Sequence, residues 1–184
     1  MALCALVLSA AAGPAGSAWQ STHSVYVDGD SLAVGTTLFL SSFLHGWKVR
    51  KSTGISRHVK DGVAAIRARG SALEHVVVVD LGTNDDPSMV ASFTRDVRAV
   101  LIAAGPDRCV IWSTIRRPPY HGISWEGYNR ALRRLAATHD NLHVFEWAAL
   151  ARAHPFWFGK DGVHPNAKGY KARAAALARL IKDC

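Results

Sequence analysis

A chain of 184 residues has room for one domain of ordinary size, and 49% hydrophobic residues suffice for a genuine core. With 20% charged and 9% aromatic residues, and no repeat or polar low-complexity tract, a disordered tail, a solenoid and a collagen-like chain are excluded. Lys and Arg number 22 against 14 for Asp and Glu, a formal net charge of +8. Such a charge suits association with an anionic cell envelope, or it reflects solvated helix faces: Arg130, Arg133 and Arg134 fall on one expected helix and Lys171, Arg173, Arg179 and Lys182 on another. No zinc-finger spacing or helix-turn-helix pattern accompanies it, so no nucleic-acid partner is expected.

Residues 1–18 carry no charged side chain and run apolar through residues 2–12 into small residues. The run is too short to span a membrane, and Gly16-Ser17-Ala18 offers a small-x-small cleavage site ahead of Trp19. It reads as a secretory signal preceding a domain at 19–184, although the missing basic n-region leaves a truncated anchor or a late start codon open. Export or attachment to the envelope is expected.

From Val25 onward strands and helices alternate. Residues 25–27 are a short apolar strand running into Asp28-Gly29-Asp30, with a helix from Ser31 to about Leu44. Residues 47–51 form a second strand. Val59, Val63 and Ile66 mark a helix capped by Gly70. The unbroken β-branched run at 76–79 is what a parallel strand buried on both faces requires, and it belongs at the centre of the sheet.

Asp86 and Pro87 look like the start of the next helix, whose apolar face is Val90, Phe93, Val97, Val100, Leu101 and Ala104. Residues 109–114 are the fourth strand, Ser124 caps a helix with Trp125, Tyr128, Leu132 and Leu135 inward, and residues 142–145 are a fifth strand. The last helix covers about 168–182, with Tyr170, Ala174, Leu177 and Ile181 inward. This pattern predicts an α/β fold, a three-layer sandwich around a five-stranded parallel sheet of flavodoxin-like type, with its chemistry in the loops after the strands.

Three such loops hold unusual residues. Gly29-Asp30-Ser31 puts a serine at a strand-to-helix turn, where it is either a nucleophile or a plain helix cap. In Gly82-Thr83-Asn84-Asp85 the asparagine either shapes a turn or aims its amide at an oxyanion. In Asp161-Gly162-Val163-His164-Pro165 a carboxylate three residues before an imidazole can hold its Nδ1–H and leave Nε2 free. A metal site lacks a further His or Cys at ligand spacing, so neither metal nor cofactor is expected. Serine chemistry needs a nucleophile, a base and an orienter, and the three loops supply all of them on one sheet edge.

On these residues the chain resembles the SGNH hydrolase superfamily, the GDSL esterases and lipases. Ser31 resembles the nucleophile block, Gly54 falls where an oxyanion glycine belongs, Asn84 matches the side-chain oxyanion donor, and Asp161 and His164 match the triad block. Trp147, Pro155-Phe156-Trp157-Phe158 and the Asp161 to His164 block are also similar to extracytoplasmic SGNH domains that accompany bacterial envelope acyltransferases. Gly-x-Ser-x-Gly occurs nowhere, which argues against an ordinary α/β-hydrolase lipase.

The resemblance implies a serine esterase that hydrolyses or transfers acyl groups through an acyl-serine. Ser31, Asp161 and His164 are then the triad, and Ser31, Gly54 and Asn84 the oxyanion hole. Asp30, Tyr120 and Trp157 are candidate pocket residues, with Phe156, Phe158 and His121 beside them. The expected partner is a small-molecule, glycan or lipid ester, met by a monomer. A non-catalytic polysaccharide-binding module on the same fold is the other class.

Of three cysteines, Cys4 leaves with the signal. Cys109 opens the fourth strand at the sheet edge opposite the site, and the last helix runs back to deliver Cys184 there. Both a disulfide and a pair of free thiols are compatible with that placement.

Overall fold

The computed structural model describes residues 23–184; the segment expected to be a signal lies outside them. Five strands, β1 (Ser24–Gly29), β2 (Lys48–Thr53), β3 (Val76–Asp80), β4 (Cys109–Ser113) and β5 (Leu142–Phe145), form one sheet in the order β2-β1-β3-β4-β5. Every pairing is parallel. Parallel neighbours need crossovers, and helices supply them: α1 (Ser31–Leu40), α2 (Val59–Arg69), α3 (Val90–Ala104), α4 (Glu126–Ala136), α5 (Trp147–Arg152) and α6 (Ala167–Asp183).

The period-2 geometry of the strands divides the core in two. Tyr26, Val77, Val79, Val110 and Trp112 pack against α2, α3 and α4 through Val63, Phe93, Val97 and Leu132. Val25, Val27, Val76, Val78 and Ile111 face the other way, onto α1, α5 and α6 through Leu40, Ala151, Ala174 and Leu177. The expected three-layer sandwich is therefore observed, with β3 at its centre and buried throughout.

Several boundaries differ from expectation for local reasons. The first helix stops at Leu40 rather than Leu44, in a series of turns. Asp86 does not open α3; it caps a separate turn by accepting from the Ser88 N–H at 2.9 Å, and the helix begins at Val90. The short α5, with Trp147 and Ala151 buried, was not expected, because six residues are too few to show a helical period. Arg173 does not face water: it is fully buried in α6. Among the described residues no helix is long and apolar enough to cross a membrane.

At the amino-terminal edge of the sheet, Cys109 and Cys184 are joined in a disulfide with their Cα atoms 5.9 Å apart and a sequence separation of 75. It fastens the end of α6 to the start of β4. In the chain-entropy view a loop of this length restricts the unfolded chain enough to be worth about 4 kcal/mol, with about 2–4 kcal/mol the usual range. Cys184→Ser should accordingly lower the unfolding free energy by roughly 2–4 kcal/mol in denaturant titrations. A non-reduced protein that alkylates at both cysteines would contradict the bridge itself.

Candidate active site

The Asp28-Gly29-Asp30-Ser31 segment passes from β1 straight into α1, and its geometry depends on Gly29. A Cβ there would collide with Ala33 and lie 2.9 Å from the Asp80 carbonyl. Close approach lets the Asp30 N–H donate to that carbonyl at 3.0 Å, extending the sheet one residue past β1. Asp30 is the N-cap of α1, accepting from the Leu32 N–H at 2.9 Å. Ser31 comes next as the first helical residue, its N–H without an acceptor inside the helix.

The second part comes from the loop between Phe158 and α6. Gly162, at φ 62°, turns the chain so that Asp161 folds back onto Val163 and His164. Its Oδ1 accepts from the N–H groups of Val163 at 3.0 Å and His164 at 3.3 Å. Its Oδ2 meets His164 Nδ1 at 2.8 Å. The Val163 N–H first, then the imidazole, hold the Asp161 carboxyl below the usual carboxylate range. His164 Nε2 lies 2.8 Å from Ser31 Oγ. The structure thus brings Ser31, His164 and Asp161 into one hydrogen-bonded line across 133 residues of sequence.

These side chains open into a depression of about 330 Å³ lined also by Asn84, Arg117, Pro118, Pro119, Tyr120 and Val163. Asn84 Nδ2 donates to the Arg57 carbonyl at 3.2 Å and to Asp30 Oδ2 at 3.4 Å. Tyr120, half exposed, stands at the rim.

Three expected site residues lie elsewhere. The Gly54 N–H is taken by the Gly29 carbonyl at 3.1 Å, because β2 continues its pairing with β1 by one residue, so it is not free for an oxyanion. Trp157 does not wall the depression: it is buried, stacked between His154 and Trp147 at 4.1 and 6.2 Å. Phe156 points to solvent, and Phe158 lies under Arg116 at 3.9 Å. Asp30 is fully buried beneath the site rather than part of its surface.

The support below is ionic, and sequence reasoning missed it. Arg57 ties its loop to Asp28, Ser52 and the Gly29 carbonyl. On the opposite face Arg173 forms a bidentate pair with Asp80 at 2.8 and 2.8 Å and donates to Thr36 of α1 at 2.8 Å. Burial pushes the Asp28 carboxyl up to about 6 despite Arg57, leaving its Oδ2 without a partner. Asp30 is pushed up to about 7, first by burial and then by the neighbouring Asp80 charge.

A carboxyl raised this far holds a proton in the folded chain that the unfolded chain has released. From about pH 4 to about 7 the Asp30 contribution to stability therefore falls as pH rises, and it levels off above that window. Asp30→Asn keeps a capping side chain and removes the ionisation. Its stability relative to the native chain should rise across the window in denaturation curves taken at stepped pH; a constant difference would contradict the raised Asp30.

No family model matches the chain. Over 107 residues, 58% of the chain, it is 31% identical to O-acetyltransferase OatA of Staphylococcus aureus. The alignment spans only 16% of that protein's length. Among solved structures, the peptidoglycan O-acetyltransferase A C-terminal catalytic domain of Streptococcus pneumoniae superposes with a TM-score of 0.70 at 20% identity, covering 87% of this chain and 90% of that one. A member of the lipolytic G-D-S-L family from Veillonella parvula superposes at 0.73 and 16% identity, covering 88% and 99%. The chain therefore has the fold of the SGNH hydrolases, as the Gly29-Asp30-Ser31 and Asp161 to His164 blocks led us to expect.

Proposed function

We propose that the domain is an SGNH-type serine enzyme that removes or transfers short acyl groups, acetyl foremost, on hydroxyls of an envelope glycan. The observation that carries this reading is the line Ser31 Oγ, His164 Nε2, His164 Nδ1, Asp161 Oδ2, with 2.8 Å at each hydrogen bond. The acetyl group and the glycan are suggested by the O-acetyltransferases to which the chain is similar.

In this mechanism Ser31 Oγ attacks the ester carbonyl as His164 Nε2 takes its proton, and Asp161 stabilises the imidazolium that forms. The Ser31 N–H at the start of α1 and the Asn84 amide receive the oxyanion, Asn84 giving up its longer hydrogen bond to Asp30. Collapse expels the alcohol, which takes the proton from His164. Water or a sugar hydroxyl, deprotonated by His164, then attacks the acyl-serine and releases the acid or the new ester. The side chains of Asp161 and His164 are 51% and 46% exposed. That openness suits a polymer-borne hydroxyl as acceptor, and a shallow depression with only Pro118, Pro119, Val163 and the Tyr120 ring as apolar lining suits a short acyl group. The disulfide favours work outside the cytoplasm, where such bridges persist.

Ser31→Ala should abolish release from p-nitrophenyl acetate and covalent labelling by a fluorophosphonate, and labelling that survives would move the nucleophile elsewhere. Competing an oligosaccharide acceptor against water then separates transferase from hydrolase by product. Asn84→Ala should lower kcat by about 100- to 1,000-fold while leaving the melting temperature nearly unchanged. A loss of stability with full activity per folded molecule would make Asn84 a turn residue only.

A further inference from the structure

We infer that Arg117 makes this site selective for esters that carry an oxyanion, a carboxylate or phosphate, on the alcohol side close to the reacting carbonyl. The inference rests on the serine-ester reading and adds a substrate class to it.

Arg117 lies just past β4 and lines the same depression as Ser31 and His164. Its guanidinium is fixed from behind: Nη1 donates to the Thr83 carbonyl, and Cζ lies 5.3 Å from the centre of the Trp125 ring. Among the described residues no carboxylate lies within ion-pair distance of it, although Arg50, Arg57, Arg69, Arg95, Arg133 and Arg173 each have one. A guanidinium carries five donors in a planar fork matched to carboxylate and phosphate, and Nη1 is the atom that Thr83 engages. A held, charged and unpaired fork inside a substrate depression is a ready receptor for an oxyanion.

The surrounding acids are engaged by other donors and none pairs with Arg117. Asp161 shares the depression, but both its oxygens are committed to Val163 and His164. Asp85 accepts from the Val59 N–H at 3.1 Å and faces His58 at 3.4 Å, and Asp86 accepts from Ser88. The direction of the substrate is set by shape. Beyond Arg117 and Tyr120 the depression continues into a second one of about 350 Å³, lined by His58, Asp85, Asp86 and Trp125. The larger, alcohol part of an ester takes that open end, which passes the guanidinium and the Tyr120 ring.

The test compares acetyl esters of glucose, of glucuronate and of glucose 6-phosphate. With the native chain, kcat/KM for one or both charged esters should exceed that for the glucose ester by about tenfold, as a charge-assisted hydrogen bond at a half-open site allows. Arg117→Gln should bring that ratio to about one, and Arg117→Lys, which keeps the charge but not the fork, should retain part of it. Which charged ester gains separates carboxylate from phosphate recognition. Equal losses on charged and neutral esters would reduce Arg117 to a prop for the Thr83 loop and overturn the inference, as would a native ratio of one.

A binding arm does not depend on turnover. In Ser31→Ala protein the Arg117 Nε–H resonance should shift on titration with glucuronate or glucose 6-phosphate and not with glucose. If the native chain cleaves no ester but this shift occurs, the enzymatic reading fails and the oxyanion site stands. If esters are cleaved and the resonance never moves, the reverse holds.

Discussion

Three carboxylates, Asp28, Asp30 and Asp80, lie buried at the carboxyl ends of β1 and β3; Arg57 holds Asp28 and Arg173 holds Asp80 from opposite faces of the sheet, and Asp30 accepts from the Leu32 N–H. Buried charge is expensive unless it is paired and hydrogen-bonded, and removal of one partner from such a pair usually costs more than the pair itself contributes. The site inherits its shape from this constraint. Arg173 joins α6 to β3 and, through Thr36, to α1, so the helix that begins beside His164 and the helix that begins at Ser31 share one buried anchor. Arg57 does the same for the β2–α2 loop, and its carbonyl in turn holds the Asn84 amide.

Much of the fold was legible because burial on both faces leaves an unmistakable mark. The Val76 to Val79 run could only be a central parallel strand, and the 3.6-residue stripe Val90, Phe93, Val97, Val100 and Leu101 could only be a helix packed on it. The Asp161–His164 contact was legible because the two residues stand three apart across a glycine turn, so a local pattern already encodes it. The Cys109 and Cys184 edge could be placed from strand polarity alone, but whether two sulfurs meet there depends on how far α6 runs, which periodicity leaves free by a turn.

What stayed hidden was long-range and polar. Arg173 stands three residues after Tyr170 and four before Leu177, on the inward stripe, yet a charged residue at such a position reads as solvated until its partner is known. The family resemblance put Gly54 among the oxyanion donors, but a one-residue extension of strand pairing claims its N–H. Trp157 could be foreseen as close to the site in sequence, not as facing away from it: the short 3₁₀ turn at Pro155–Trp157 rotates the ring into the layer beneath α6. Each of these errors concerns a direction rather than a location, and direction at loop termini is set by tertiary contacts.

Because Asp161 and His164 share one turn, their contact is local, and the line of three side chains is closed by one long-range distance, that of the turn from the start of α1. Its gauge is the seam between α1 and α6, where Gly35 admits the Tyr170 ring so closely that any Cβ would overlap it. Arg173 sets the same distance from below, through Thr36 of α1 and Asp80 of β3. One added methyl group at Gly35 would reset it, although that atom lies a full turn of helix from Ser31.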